Sequence, residues 1–206
     1  MTKHPEWFSL FSSLGAYWKH SGNPADPHVI LTSGKHSDAY LNCTKIIQHP
    51  AVLDQVAAAL ADKTPALPAR DWVFGSPFGS ITLAERLAHH LRHCRAGFTE
   101  PDGERFMVSR FELDPKVAVL VADDVLTTGG TTQKTVDAIV LAGGAVLNHL
   151  VVIANRSGLP TFNGYQIVSL IDLPLVKWEP DNCPLCQQGS KAIKAKGNWA
   201  QLTAKV

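Results

Sequence analysis

The sequence predicts an α/β protein with a mainly parallel sheet flanked by helices. Short apolar runs of strand length alternate with helical patterns along the chain, which is typical of βαβ units. The apolar run at 119–122 is followed by two acids, a Thr/Gly loop and a helical pattern. Right-handed crossovers are expected for such units. Because ligands bind at the carboxyl ends of strands in an open α/β sheet, the acids and the loop mark the expected site.

Helices and strands are predicted by different patterns. Apolar residues recur at three- and four-residue spacing in the predicted helices 5–19, 50–62, 80–93 and 131–142. Pro50 suits the first turn of the second of these helices. Short apolar runs predict strands at 71–75, 117–122, 145–153 and 165–171. Residues 28–47 are expected to be strand-like at both ends around a polar turn, and 94–99 and 106–112 to form a hairpin around 101–103.

Bulk composition limits the class of protein. The 206 residues, 45% hydrophobic and 18% charged, are typical of one soluble globular domain. The formal net charge of +1 gives no general basic field for nucleic acid. There is no run of about 18 apolar residues to predict a membrane span. The N-terminus lacks the pattern of a secretory leader, so the cytoplasm is the expected location. Four cysteines are too few for a disulfide scaffold of this size.

The chemistry is concentrated at 119–132, VLVADDVLTTGGTT. Asp123 and Asp124 end a buried strand, and adjacent carboxylates suit a sugar diol or a hydrated Mg²⁺. The loop from Thr127 to Thr132 offers N–H groups, hydroxyls and a helix N-terminus to a phosphate. A plain core strand would explain the apolar run, but not two like charges at a crowded strand end. With neither the Lys of a Walker A loop nor a G-x-G-x-x-G pattern, the segment predicts a sugar-phosphate site.

This segment resembles the signature of the type I phosphoribosyltransferases, which bind 5-phosphoribosyl 1-diphosphate (PRPP). The resemblance implies that Asp123 and Asp124 hold the ribose hydroxyls while the loop from Thr127 to Thr131 wraps the 5-phosphate. It also implies Mg²⁺ as cofactor, held mainly through PRPP and water near the two acids, with no direct protein ligand. The residues assigned to PRPP on this basis are Lys35, Ser76, Pro77, Phe78, Gly79, Asp123, Asp124, Val125, Leu126, Thr127, Thr128, Gly129, Gly130 and Thr131.

A second strand-to-helix turn is found at 74–80, FGSPFGS. By themselves, Pro77 and Gly79 are typical of an ordinary turn. In the family that the acidic segment resembles, this position is the pyrophosphate loop. Some orotate enzymes carry Tyr-Lys-Gly there, whereas this chain has Phe78-Gly79-Ser80 and lacks the basic contact. The helix N-terminus and Mg²⁺ are therefore expected to carry more of the pyrophosphate charge.

The block LTSGKHSDAYLN at 31–42 is a polar turn, which on that ground alone would be an exposed one. It resembles the segment of orotate phosphoribosyltransferases that helps enclose the base, where Lys35 suits a pyrophosphate or carboxylate and Tyr40 a planar base. Arg156 follows another strand and suits the carboxylate that distinguishes orotate from uracil, unless it pairs with a structural acid. No role is assigned to His36. The residues assigned to orotate are Ser33, Gly34, Lys35, Tyr40, Thr127 and Arg156.

Residues 98–112 correspond to the flexible hairpin, or hood, with which the resembled family covers its site, often reaching into the neighbouring subunit. Its cations in this chain are Arg105 and Arg110. The residues assigned to catalysis are Asp123, Asp124, Arg105 and Arg110. Several relatives have a Lys near the position of Pro101, and this chain does not. An ordinary surface hairpin with solvated charges is the alternative.

Cys183 and Cys186 form a C-x-x-C pair in the sequence WEPDNCPLC, which resembles the C-terminal tail of one branch of the orotate family. A structural zinc ion needs four ligands. Cys43 and Cys94 are far away in sequence, and no His follows His149. A redox motif would need a thioredoxin-like unit, and none is evident. Metal or redox use is therefore the lesser expectation, and a metal site between subunits stays open.

The resemblance implies one phosphoribosyltransferase domain over 1–206. Its expected parts are a base-enclosing segment 1–48, a PRPP-binding core 70–172 with the small hood 98–112, and a tail 173–206. The implied reaction joins ribose 5-phosphate from PRPP to orotate, giving orotidine 5'-monophosphate and pyrophosphate, in a homodimer with shared sites. One alternative is a phosphoribosyltransferase for a purine or uracil, which needs no carboxylate clamp. Another is a non-catalytic regulator that senses PRPP or binds nucleic acid, against which the net charge of +1 argues.

Overall fold

The structure is a computed structural model that describes residues 5–65, 71–92 and 94–204. In chain order, the strands are β1 (Tyr17–Lys19), β2 (His28–Ile30), β3 (His36–Ser37), β4 (Ala39–Leu41), β5 (Trp72–Gly75), β6 (Arg95–Phe98), β7 (Glu100–Asp102), β8 (Arg105–Met107), β9 (Ala118–Leu126), β10 (Ala145–Asn155), β11 (Thr161–Phe162), β12 (Tyr165–Asp172) and β13 (Ala192–Lys194). The helices are α1 (Pro5–Ser13), α2 (Thr44–Ile47), α3 (Pro50–Lys63), α4 (Ile81–His90), α5 (Gly130–Leu141), α6 (Pro184–Gln187) and α7 (Trp199–Thr203). Pro180–Asn182 form a 3-10 turn. Within the described ranges, no helix has the length and apolar character that crossing a membrane requires.

The chain divides into two compact units. The first, called the central unit here, combines the described residues within 43–173 with residues 5–7. The second, called the terminal unit, combines residues 8–42 with residues 174–204. The expected boundary at residue 70 lies outside the described residues, as does His93, the expected last residue of α4. The division of the chain into functional parts therefore stays a prediction.

The central unit is built on a six-stranded sheet in the order β11-β12-β10-β9-β5-β6. Neighbouring strands run parallel except for β11, which is antiparallel to β12. Helices α3, α4 and α5 pack against this sheet. The mainly parallel α/β class predicted from the sequence is therefore confirmed. Strand β9 lies between β5 and β10, which explains why its first half is a continuous apolar run, since such strands are covered on both faces.

The buried core of the central unit covers β9 and its neighbours. It contains Trp72, Phe74, Val119, Val121, Val136, Ile139 and Leu150. Gly97 allows the edge strand β6 to approach this core, since a Cβ there would lie 2.7 Å from the Phe74 ring. Phe111 closes the cluster with ring centroids 5.6 Å from both Trp72 and Phe74. These contacts hold the sheet that carries the two acids.

The prediction that 94–99 and 106–112 pair with each other in a hairpin is wrong. Strand β6 pairs parallel with β5 and belongs to the main sheet, while the hairpin is the shorter pair β7 and β8. The reason is that β6 supplies an edge partner to β5, whose polar backbone would otherwise stay unpaired on that side. The helix expected over 5–19 is also too long, because α1 ends at Ser13 and Tyr17–Lys19 form β1. Residues 28–47 end in a short helix, α2, instead of a strand.

The terminal unit joins the two ends of the described chain. Strand β13 pairs parallel with β2, and β2 pairs antiparallel with β3. A second, two-stranded sheet is formed by β1 and β4. The hydrophobic core of the terminal unit contains Val29, Leu31, Ile193, Ala195 and Leu202, with Trp18, Tyr40 and Trp199 packed against it. Segments from opposite ends of the sequence thus form one small hydrophobic core.

Candidate active site

The two acids lie at the carboxyl end of β9. The strand continues through them to Leu126, four residues beyond its expected end at 122. Asp123 is buried, whereas Asp124 is half-buried. In the sheet, β9 is flanked on one side by β5, which ends at Gly75, and on the other by β10, which ends at Asn155. The acids therefore lie where three parallel strands end, the usual place for a ligand in this class of fold.

The Asp123 carboxylate is held by hydrogen bonds from the protein. The Thr132 hydroxyl donates to Oδ2 at 2.7 Å, and the Ser80 hydroxyl donates to Oδ1 at 2.9 Å. The backbone N–H of Asp124 also donates to Oδ1, at 3.0 Å. These donors come from the starts of two different helices and from β9 itself. The Asp123 side chain is therefore buried and held in place by the protein, and it positions the acid pair.

Asp124 is the more accessible acid of the pair. Its Oδ1 accepts a hydrogen bond from the Val125 N–H at 2.9 Å. Its Oδ2 faces Gly79, where an added Cβ would lie only 2.9 Å from that oxygen. The turn at 74–80 and the acidic segment are thus in direct contact, as expected of two parts of one site. The carboxylate that is free to meet a ligand is that of Asp124.

Burial disfavours two adjacent negative charges. Burial raises the pKa of Asp123, and the neighbouring charge of Asp124 raises it further, while the hydrogen bonds from Thr132 and Ser80 oppose the shift. Burial also raises the pKa of Asp124, against the hydrogen bond from the Val125 N–H. A pair of this kind holds a proton more tightly than ordinary acids do. Such a pair therefore favours ligands that are cationic or that donate hydrogen bonds.

The Thr/Gly loop ends in the N-terminus of α5. Gly129 is the N-cap in a left-handed conformation with φ of 78°, and a Cβ there would overlap the Phe162 ring at 2.1 Å. Glycine is therefore required at this position. Thr127, Thr128, Gly130 and Thr131 are exposed. The first N–H groups of this twelve-residue helix lack helical acceptors and, with the helix dipole, favour an anion.

The turn at 76–80 follows β5 and leads into α4. The Ser76 N–H donates to the Ala122 carbonyl at 3.2 Å, and the Ser76 and Thr135 hydroxyls lie 2.9 Å apart. These bonds tie the turn to β9 and α5. The Pro77–Phe78 peptide is cis, and Phe78 is 74% exposed. The turn thus lies against the acid pair with its outer residues open to solvent.

Arg156 is buried just beyond β10, and its backbone N–H donates to the Leu126 carbonyl at 2.8 Å. The Cys43 thiol lies close to the acid pair, with its Sγ 3.8 Å from the Asp124 carbonyl oxygen. Burial and the charge of Asp124 raise the pKa of Cys43, and the charge of Arg156 lowers it. Arg156 therefore lies in the electrostatic neighbourhood of the acid pair. No sequence pattern singles out Cys43, because its approach to Asp124 depends on folding alone.

The hood cations are at the surface of the central unit. Arg105 is exposed, and the Nε of Arg110 lies 2.9 Å from Glu100 Oε1. The Ser109 hydroxyl also donates to Glu100. Strand β8 packs against α5, with the ammonium group of Lys134 5.7 Å from the centre of the Phe106 ring. The hood is therefore anchored on the helix whose N-terminus forms the loop.

The residues expected to enclose the base belong to the terminal unit. Ser33 and Gly34 are exposed in a turn where the Leu31 N–H donates to the Lys35 carbonyl at 2.8 Å. The Lys35 ammonium pairs with Glu179 Oε1 at 2.6 Å. The Tyr40 ring packs near Trp199, with centroids 5.9 Å apart. Roles for these residues toward a ligand stay predictions.

The terminal unit also contains a cluster that sequence reasoning missed. His28 and His36 meet Cys183 and Cys186 there, so the objection that the C-x-x-C pair lacks two further ligands is wrong. The histidines lie about 150 residues before the cysteines, with separations of 155 and 150 between His28 and Cys183 and between His36 and Cys186. Spacing along the chain carries no signal of that proximity.

Comparison with known proteins agrees with the fold. No protein-family model matches the chain. The orotate phosphoribosyltransferase of Acidithiobacillus ferrooxidans is 34% identical over 182 residues, covering 87% of this chain and 93% of that protein. The crystal structure of orotate phosphoribosyltransferase from Aeropyrum pernix is similar with a TM-score of 0.64 at 24% identity, covering 80% of this chain and 92% of that one. The UMP synthase of Leishmania donovani has a TM-score of 0.65 at 19% identity over 83% of this chain, which spans 36% of that longer chain.

Proposed function

The chain belongs to the orotate phosphoribosyltransferase family, and we propose that it transfers ribose 5-phosphate from PRPP to orotate. The products are orotidine 5'-monophosphate and pyrophosphate. The observation that carries this proposal is the acid pair of β9, with one carboxylate fixed by hydroxyls and the other facing a helix N-terminal loop. The orotate phosphoribosyltransferases that the chain matches over most of their length support the same reaction.

PRPP offers groups that match this arrangement. We assign its 5-phosphate to the exposed N–H groups and hydroxyls of Thr127–Thr131 at the start of α5. We assign the ribose hydroxyls to the accessible Asp124 carboxylate, since each hydroxyl is a donor and a carboxylate accepts. Asp123 then acts as a positioning residue, because Ser80 and Thr132 already bond its oxygens. The pyrophosphate would lie along the turn at 76–80, which contacts Asp124 through Gly79.

The transfer forms a bond from the ring nitrogen of orotate to C1 of ribose. The bond between C1 and the pyrophosphate oxygen breaks, and its electron pair leaves with pyrophosphate. The attacking nitrogen of orotate is already acidic and releases its proton to solvent, so a strong protein base is unnecessary. Positive charge develops on the sugar and negative charge on the leaving group, which makes positioning and electrostatics the main contributions of the protein. The exposed Arg105 and Arg110 are suited to neutralise the leaving pyrophosphate.

Mg²⁺ fits the donor set that the acid pair provides. The half-buried Asp124 carboxylate offers hard oxygen atoms close to the proposed ribose position, which suit a cation that keeps several waters. When bound with PRPP, Mg²⁺ supplies charge compensation for the pyrophosphate. The residue that would hold it, through water and PRPP, is Asp124, beside the positioning residue Asp123. A requirement for Mg²⁺ is measured directly by titrating the metal against PRPP consumption.

Orotate differs from uracil by a carboxylate, and Arg156 is the proposed partner of that group. A guanidinium pairs bidentately with carboxylates, and the charges of Arg156 and of the two acids all act on the same Cys43 thiol. We also propose a homodimer with shared sites, because the hood of this family often reaches into the neighbouring subunit. Sedimentation of the purified protein with and without PRPP tests the dimer.

The activity is tested by the loss of orotate absorbance in the presence of PRPP and Mg²⁺, beside uracil, adenine and hypoxanthine. We expect loss with orotate alone. Asp124→Asn should lower kcat/KM by about 10²-fold, the scale of removing one electrostatic contact at a reacting centre. Asp137→Asn, on the exposed face of α5, is the matched control and should be unaffected.

Different outcomes separate the alternatives. Turnover of a purine or uracil would replace orotate with that base and remove the role of Arg156. No turnover with any base, together with PRPP binding by calorimetry, would support a PRPP-sensing regulator and contradict the proposed reaction. Equal activity of Asp124→Asn and Asp137→Asn would contradict the assignment of the acid pair.

A further inference from the structure

Two imidazoles and two thiols converge in the terminal unit. His28 comes from β2, His36 from β3, Cys183 precedes α6 and Cys186 lies within it. One potential ligand atom from each residue lies within 4.8 Å of the others. His28 and Cys183 are fully buried, and Cys186 reaches the surface, which leaves an entry path for an ion. This cluster belongs to no part of the transferase chemistry proposed above.

The distances between the ligand atoms match a tetrahedral ion. Tetrahedral Zn²⁺ with two nitrogens and two sulfurs requires N–N spacings of about 3.3 Å and N–S spacings of about 3.6 Å. Here His28 Nε2 lies 3.0 Å from His36 Nδ1 and 3.5 Å from both Cys183 Sγ and Cys186 Sγ. Cys186 Sγ and His36 Nδ1 are 3.3 Å apart, and the two other pairs of ligand atoms lie within 4.8 Å. The four atoms thus surround a centre of the right size.

The orientation of His28 is set by the protein on its far side. Its Nδ1 lies 2.9 Å from the Ser190 hydroxyl, which in turn donates to the Asp26 carbonyl at 2.7 Å. Because Ser190 and Asp26 fix the ring from Nδ1, Nε2 points into the cluster. Metal-binding histidines are oriented in this way, through the ring nitrogen that does not bind the metal. The arrangement is therefore a ligand set with its supporting hydrogen bonds already in place.

We propose that His28, His36, Cys183 and Cys186 bind one Zn²⁺ ion as a structural site of the terminal unit. Two thiolates and two imidazoles are a closed four-ligand set of the kind that structural zinc sites use, with no open position for a substrate. Mixed sulfur and nitrogen ligands in a tetrahedron select zinc over magnesium or calcium, which favour oxygen. Binding releases the two thiol protons to solvent, so the charge of the ion is balanced by two thiolates.

The proposed ion would link segments that are far apart in sequence. It joins β2 and β3 near the start of the chain to the turn at 183–186 near its end. The same segments are bonded at the backbone, where the His36 and Trp178 N–H groups each donate to the other residue's carbonyl at 2.8 and 2.9 Å. His36 directly follows Lys35, so the ion would also fix one end of the turn at 31–35. A cross-link over so long a loop is the kind expected to stabilise most.

The test measures metal content and not turnover, so it is independent of the proposed transferase function. The full chain is expressed without a histidine tag, purified under reducing conditions and analysed for metals. We expect about one zinc ion per chain. Cys186→Ser and His36→Asn should reduce the content at least about ten-fold, because losing a ligand should cost no less affinity than losing an outer-shell partner, which costs about 10- to 100-fold. Cys94→Ser and His89→Asn are the matched controls in the central unit and should keep full occupancy.

A second measurement covers variants that fail to fold. Zinc is removed from the wild-type protein by a chelator and replaced with Co²⁺, whose visible spectrum reports tetrahedral thiolate coordination. We expect that spectrum, and a melting temperature that falls on chelation and recovers with zinc. Wild-type protein that holds neither zinc nor tetrahedral Co²⁺ would overturn the proposal, as would equal zinc in Cys186→Ser and Cys94→Ser. A Cys183–Cys186 disulfide in the reduced preparation would also overturn it.

Discussion

Gly79→Ala is a one-methyl change that tests how the acid pair is positioned. The new Cβ would lie 2.9 Å from Asp124 Oδ2 and 3.3 Å from its Cγ. The carboxylate has little freedom to turn away, because the Val125 N–H holds its other oxygen at 2.9 Å. Gly79 is exposed and does not have the positive φ that would strain an alanine. The substitution therefore moves the Asp124 carboxylate while leaving the fold intact.

The expected loss follows from the size of that movement. Relief to an ordinary contact of about 3.4 Å requires a shift of about 0.5 Å. A misplacement of about 1 Å at a reacting centre costs about 10²-fold, so half that shift predicts about a ten-fold loss in kcat/KM for PRPP, or about 1.4 kcal/mol. Stability should be unchanged or rise by about 0.4–1 kcal/mol, since alanine restricts the unfolded chain.

The assay pairs steady-state kinetics with thermal melting in a double-mutant cycle. In an Asp124→Ala background the added methyl meets no carboxylate, so Gly79→Ala should have no further effect there. Unchanged kcat/KM in the single variant would refute the reasoning, because it would show that Asp124 does not set the reaction geometry. An equal loss in both backgrounds would assign the effect to the turn itself and refute it as well.

Three further predictions concern the buried parts of the site. Thr132→Val removes the 2.7 Å donor to Asp123 and should cost about 1.5–3 kcal/mol in urea unfolding, with exposed Thr203→Val as control. The pKa of Asp123 in the folded protein is raised above its usual 3.8. At pH values between 3.8 and that raised pKa, the folded protein holds a proton that the unfolded chain has released. The free energy of unfolding should therefore fall as the pH rises through this range. Asp123→Asn should reduce this slope, and an unchanged slope would contradict the assignment. Arg156→Lys should raise KM for orotate about 10- to 100-fold by losing the bidentate pair, while calorimetric affinity for PRPP stays the same.

The parts of the fold that were predictable are those with dense local signals. The acidic segment, its loop and α5 follow one another without interruption, so a buried strand, a Thr/Gly loop and the start of a helix are all predictable from the fourteen residues at 119–132. The strand was nevertheless expected to end at 122, whereas it continues to Leu126. Charged residues suggested the end of a strand, but Ser80 and Thr132 provide the hydroxyls that allow Asp123 to stay inside it.

The pairing of strand β6 was harder to predict because its partner is not local. Residues 95–98 have the composition of a hairpin arm, and the nearby turn at 101–103 offers an obvious pairing. The sheet offers a better one, since β5 binds β6 in parallel over four residues and Gly97 lets the strands approach over Phe74. Competition between a local and a distant partner depends on the assembled sheet, which a linear pattern does not contain.

The cluster of two histidines and two cysteines shows why a C-x-x-C pair in a sequence has to be judged together with the topology. The C-x-x-C pair is local, whereas His28 and His36 are separated by a turn and their rings meet only because β2 and β3 pair antiparallel. The parallel register of β13 with β2 places Ala192 opposite His28, and this brings Ser190 to the far side of the His28 ring. One strand pairing thus supplies both the approach of the two chain ends and the hydrogen bond that orients a ligand. A C-x-x-C pair can therefore find its two further ligands at any separation along the sequence, provided that a strand pairing brings the two segments together.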